Sequence, residues 1–174
     1  MKRTISVLAW IAIAIMASAP ATAQIGRRFP SERKVINDPK TGVELIFLTS
    51  QSDTGDSKIY QTHNQWTSDG KWVIFRSDRV PGEAMAVHEE SGDIVQVTEG
   101  GFSGMLCVAR HSMHLYYMRP VQKAREKSKE RSREREMEVV EIDLERLFAD
   151  SEADNLKKKK HYERICGVIP AEMG

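Results

Sequence analysis

The fourteen residues from Trp66 to Arg79, WTSDGKWVIFRSDR, limit what this chain can fold into more than any other segment. They encode a tight turn, a strand and a polar exit. In Ser68-Asp69-Gly70-Lys71, the aspartate can accept from its own backbone and the glycine takes positive φ without a Cβ clash, which predicts a turn. Trp72-Val73-Ile74-Phe75 is an unbroken aromatic and β-branched run, the composition of a strand buried on both faces between stacked sheets. Ser77-Asp78-Arg79 ends it.

Internal similarity gives this strand its neighbours. Thr41 to Thr49 (TGVELIFLT) resembles Ser91 to Thr98 (SGDIVQVT), displaced by 50 residues at the glycine and 49 at the final threonine. Each reads as an outer strand that a glycine turn opens and a threonine closes. Trp72-Val73-Ile74-Phe75 likewise matches His114-Leu115-Tyr116-Tyr117 at an offset of 42. Glu83 to His88 is then the third strand of one unit and Met137 to Asp143 its counterpart, with Val87 and Val140 separated by 53 residues. The excess of 53 over 42 marks an insertion of 11 residues between second and third strands. Four-stranded units recurring every 40 to 50 residues or so are the pattern of β-propeller blades. The expected fold class is all-β, an incomplete β-propeller with blade one over about 56–99 and blade two over about 103–170. Closing a ring takes about four to eight blades, so end strands and two blades leave it unfinished.

The insertion, about 120–136, is almost wholly Lys, Arg, Glu, Ser and Gln and reads as either an exposed charged helix or a disordered loop. Leu144, Leu147 and Phe148 share one face of a helix expected within Leu144 to Leu156. Tyr162 to Pro170 reads as a further outer strand.

Residues 1–23 carry Lys2 and Arg3, an apolar stretch from Ile5 to Met16, and Ala21-Thr22-Ala23 as a small-residue cleavage site. That is the pattern of a cleaved signal peptide, too short for a membrane anchor, and it predicts export to the periplasm or beyond. Its removal turns 26 basic against 25 acidic residues into 24 against 25, a net charge near −1, so nothing points to nucleic acid. Cys107 and Cys166 are the two cysteines. An oxidising compartment permits a bridge between them, while the apolar run Met105 to Val108 favours a buried free thiol at Cys107.

Three segments together carry a family likeness: DPKTGVELIFLT (Asp38 to Thr49), DSKIYQTHNQWTSDGKWVIFRSDR (Asp56 to Arg79) and SGDIVQVTE (Ser91 to Glu99). They resemble the N-terminal part of oligogalacturonate lyases and, more broadly, the propeller repeats of the Tol-system translocation protein and of peptidase-associated propellers. The lyase resemblance implies a seven-bladed parent that cleaves acidic, pectin-derived oligogalacturonides by β-elimination. A base removes the proton beside the uronate carboxylate, and a divalent, manganese-like metal held by His and Gln stabilises the developing charge. Those ligands and the catalytic base belong to later blades, expected beyond Gly174, and map onto no residue here. Of this chain, the resemblance makes Lys58, Tyr60, His63, Gln65 and Arg79 candidate substrate-binding residues, Lys58 and Arg79 for a uronate and Tyr60 for stacking on a sugar ring. Each also reads as an ordinary surface, packing or hydrogen-bonded residue. His111 and His114 form no metal pair in a turn followed by a strand. The alternatives are a non-catalytic Tol-type binding propeller and the propeller of a serine peptidase, which would need a Gly-x-Ser-x-Gly elbow downstream.

Overall fold

The turn at Ser68 to Lys71 forms as its residues require. Gly70 has φ +73°, and the Asp69 carboxylate accepts from the Lys71 amide at 3.1 Å and from the Thr67 hydroxyl at 2.6 Å. The chain then runs into the strand Trp72–Arg76. In this computed structural model, which describes residues 23–51, 53, 55–121 and 136–173, the strand is the second of a four-stranded antiparallel meander. The elements are β1 (Arg28–Phe29), β2 (Lys34–Asn37), β3 (Glu44–Phe47), β4 (Ser57–Lys58), β5 (Trp72–Arg76), β6 (Ala84–His88) and β7 (Ile94–Gln96), followed by β8 (Ser103–Val108), β9 (His114–Pro120), β10 (Met137–Asp143), helix α1 (Leu144–Glu152) and β11 (Glu163–Ile169). The first sheet has the order β1-β7-β6-β5-β4, the second β11-β10-β9-β8, and β2-β3 is a separate hairpin.

The strands therefore lie where the internal similarity puts them, and the class is all-β with antiparallel sheets. No closed sheet forms among the described residues, so the structure carries the expectation of a propeller only as far as two meanders and a hairpin. Three sequence expectations fall outside the described residues: residues 1–22, most of the expected signal peptide; residues 122–135, the body of the charged insertion; and Gly174, beyond which the catalytic base and metal ligands are expected. The insertion's flanks meet, with the Val121 amide donating to the Glu136 carbonyl at 3.0 Å.

The offset of 42 is also a structural register. Val73 and Phe75 look back toward Phe29 and Leu48, while Leu115 and Tyr117 look back toward the first sheet. On the forward side, Trp72, Ile74, Ala84, Ala86, Val95 and Val97 meet Leu106, Val108, Leu115, Tyr117, Val140 and Ile142 of the second sheet in one core. Helix α1 closes the end of this core. Asp143 caps it by accepting from the Arg146 amide at 3.0 Å, and Leu144, Leu147 and Phe148 turn inward. Phe148 stacks on Trp72 with ring centroids 4.1 Å apart, and His88 meets the indole edge-on at 4.9 Å.

Cys107 corrects the sequence expectation, because it is exposed. In β8 the inward positions are Leu106 and Val108, and strand alternation sends Cys107 to the opposite face. Cys166 is free and exposed on β11, at the other edge of the same sheet. Three strand spacings of about 4.8 Å separate those edges, whereas a disulfide needs Cα atoms within roughly 7 Å.

That outer face carries a hydrogen-bonded row. Registers place Cys107, Tyr116, Glu141 and Arg164 side by side across β8, β9, β10 and β11. Arg164 donates twice to Glu141, at 2.8 and 2.9 Å, and Tyr116 once at 2.8 Å. The arginine holds the Glu141 carboxyl down to about 2, with the tyrosine adding to it. A carboxylate whose folded pKa is depressed contributes stability that is present above its unfolded value of 4.5 and is lost as pH falls through about 2. Thermal unfolding should thus move to lower temperature between about pH 4.5 and 2, and Glu141→Gln should flatten that slope; an unchanged slope would remove Glu141 from the acid response.

Candidate functional site

The first strand of the first sheet is interrupted, and the interruption builds the candidate site. Lys58 pairs with Phe75, but pairing with β5 resumes only at Gln65, whose carbonyl accepts from the Ile74 amide at 2.8 Å, and at Trp66 opposite Val73. Residues 59–64 leave the sheet edge between these two contacts. Ile59 is buried and anchors the departure, and a turn from the His63 amide to the Tyr60 carbonyl at 2.9 Å folds the excursion back. Asn64 secures the return by donating to the Trp66 carbonyl at 2.6 Å and accepting from the Trp66 amide at 3.3 Å.

The excursion divides the candidate residues into two pairs. Lys58 and Gln65 line one hollow of about 200 Å³ with Asp56, over an apolar floor that includes Phe75 and Val87. Tyr60 and His63 project on the excursion itself, ring centroids 5.5 Å apart and edge to face, with Tyr60 56% exposed. A cation, an amide and an exposed aromatic ring at one sheet edge can meet the carboxylate, hydroxyls and apolar face of an acidic sugar.

Arg79 sits elsewhere than the surface position expected for it. Its side chain is 4% exposed, packed against the Phe75 ring and surrounded by acceptors. Its guanidinium donates to Glu32 at 2.6 and 3.2 Å, to the Ser77 hydroxyl at 2.7 Å and to the Asp56 carboxylate. Burial works against charge on both sides of this cluster, but the hydrogen bonds outweigh it. Arg79 is pushed above its ordinary range, chiefly by Asp56 and Glu32 among its partners, and Glu32 is held below its own by Arg79 and the amides of Ser50 and Gln51. Arg79 thereby positions Asp56 at the rim of the hollow and ties the base of the β2-β3 hairpin to the first sheet. Sequence reasoning did not single out Asp56 or Glu32; Asp56 opens the DSKIYQTHNQW motif, the one signal that could have found it.

A larger hollow of about 380 Å³ lies beside Trp72, His88 and Phe148. Asp69, Asp93, Glu145 and Glu152 line it against Arg28 and Lys71. This carboxylate surplus disfavours an anionic ligand there, so the Lys58 hollow is the better match for an acidic sugar.

The chain matches no protein-family model and no curated protein. Among solved structures it is similar to an oligogalacturonate lyase in complex with manganese, with 18% identity and a TM-score of 0.57 over 86% of this chain and 33% of that one. The fold is similar to that of one third of this lyase. A second such lyase, from Vibrio parahaemolyticus, aligns with 16% identity and a TM-score of 0.48 over 85% of this chain and 50% of its own. The chain thus spans one third of the first lyase's length and one half of the second's. The manganese belongs to the first of these two lyases. Among the described residues no group of three or more His, Cys, Asp or Glu side chains converges, so these residues do not fit the part of a metal cage. No helix among them is long and apolar enough to cross a membrane.

Proposed function

We propose that this chain is the sugar-facing N-terminal portion of an exported oligogalacturonate lyase-like β-propeller, binding an acidic pectin-derived oligosaccharide through the edge of its first sheet. Blade one spans about 56–99 and blade two about 103–170, and the polypeptide is exported after loss of residues 1–23. The observation that carries the reading is the hollow at the interrupted strand, where Lys58 and Gln65 converge on a scaffold shared with a lyase. Lys58 pairs with a uronate carboxylate, Gln65 and Asp56 take hydroxyls, and Tyr60 covers a pyranose face. Arg79 acts through Asp56.

The elimination itself needs a base and a divalent cation from a more complete ring, in blades beyond Gly174. Purified chain incubated with digalacturonate and Mn²⁺ should therefore form no unsaturated product, followed by its ultraviolet absorbance. Sustained turnover would show that the base and the metal site lie within these 174 residues.

A further inference from the structure

Two arginines in the interior of this fold are neutralised by carboxylates, and a third is not. Arg79 meets Glu32 and Asp56, and Arg119 meets Glu138 at 2.9 Å and both oxygens of Glu163 at 2.7 and 3.0 Å. Arg76, half-buried at the end of β5, has no carboxylate within ion-pairing distance among the described residues. Its one side-chain hydrogen bond runs from Nη2 to the Gly104 carbonyl at 3.1 Å. The guanidinium lies over the Phe102 ring at 5.9 Å, and its Nε is enclosed without an acceptor. A cation that has given up part of its hydration without gaining a counter-ion is costly to hold, and an anionic ligand offsets that cost.

The strand register places this cation beside the Lys58 hollow. In the antiparallel pair β4-β5, Ser57 lies opposite Arg76 and Lys58 opposite Phe75, and directly opposed residues share a face. Lys58 therefore points with Phe75 into the hollow, whereas Arg76 points with Trp72 and Ile74 toward the second sheet. One strand spacing and one residue along the strand put their Cα atoms about 6 Å apart, but the two side chains leave on opposite faces. One carboxylate cannot reach both. A ligand that carries carboxylates at intervals and passes over the end of β4 can, with Ser57, which also lines the hollow, between them. The approach on the Arg76 side is open, since Ser103 and Gly104 are exposed.

We infer that Arg76 is a second carboxylate-binding residue, which takes the next uronate of an acidic oligosaccharide whose first two units occupy the Lys58 hollow and the Tyr60 ring. This rests on the acidic-sugar reading of that hollow and adds a length preference to it. The edge of the first sheet is built for three or more uronates.

Calorimetric titration of the purified chain with digalacturonate and with trigalacturonate tests the preference. The trimer should bind about tenfold more tightly than the dimer, the gain of one charge-assisted contact. Arg76→Gln should abolish that gain, whereas Lys58→Ala should weaken binding of both sugars. In ¹⁵N spectra the Arg76 and Gly104 amides and the Arg76 Nε should shift with the trimer and stay in place with the dimer. Because Arg76 has no internal counter-ion, Arg76→Gln should keep the urea midpoint of the wild type. Equal affinities for dimer and trimer, or a gain that survives Arg76→Gln, would overturn the inference and leave the Lys58 hollow as an acidic-sugar site. So would a fall in midpoint as large as that from removing Arg79, which would mark Arg76 as a structural residue. Binding of neither sugar, or trimer shifts at Arg76 with Lys58 silent, would overturn the assignment of the hollow and the inference with it.

Discussion

Trp72→Ala should lower the free energy of unfolding by about 3–5 kcal/mol, the range for truncating a buried large aromatic residue. The site has little capacity to collapse into the space left. Trp72 joins three parts of the fold: its strand belongs to the first sheet, its ring stacks on Phe148 of α1, and its other edge meets His88 at the end of β6. Losing the indole would also unseat the helix, whose Ser151 hydroxyl donates to the Gly26 carbonyl at 2.6 Å and so fixes the N-terminal segment. Chemical denaturation checks the magnitude. Trp72→Phe should recover more than half of the loss; a cost below about 1 kcal/mol for the alanine variant would mean that α1 is not anchored by this stack.

Arg79→Met should cost about as much, roughly 3–5 kcal/mol, for a different reason. The side chain keeps its bulk, but Glu32 and Asp56 lose their shared cation while remaining largely covered, at 7% and 14% exposure. A buried carboxylate that loses its cation is more costly than a missing pair. The triple replacement Glu32→Gln, Asp56→Asn, Arg79→Met should therefore regain much of the stability that Arg79→Met alone removes. Hydrogen exchange adds a local test. Because Glu32 accepts from the Ser50 and Gln51 amides at 3.0 and 3.1 Å, protection of those two amides should fall first.

The same residues show how far sequence reasoning reached. The Asp69-Gly70 turn, the strand after it and the alternation of β10 are local, and each was legible because propensity, period and turn chemistry agree. The helix at Leu144 was legible from its apolar spacing, and β11 from its polar-to-apolar run and terminal Pro170. What escaped depends on distant partners. Nothing in the neighbourhood of Arg79 announces Glu32, 47 residues earlier, so a buried positioning cation reads locally as a surface ligand group. Cys107 sits in an apolar run that suits a buried strand, yet β8 lies at one edge of the second sheet and has a covered and an uncovered face. The excursion 59–64 was legible only as part of the DSKIYQTHNQW segment that carries the family likeness. Its shape follows from pairing that resumes at Gln65, which no local signal encodes.

The claim that the interrupted strand forms an acidic-sugar site is tested most directly by titrating ¹⁵N-labelled chain with digalacturonate. Saturable shifts should be confined to the amides of Asp56, Lys58, Tyr60 and Gln65 and their sequence neighbours, with uncharged galactobiose producing far smaller changes. Lys58→Ala should weaken that binding by tenfold or so, the loss of about 1.4 kcal/mol expected for a charge-assisted contact. Shifts clustered instead around Trp72, His88 and Phe148, or no shifts at millimolar sugar, would contradict it.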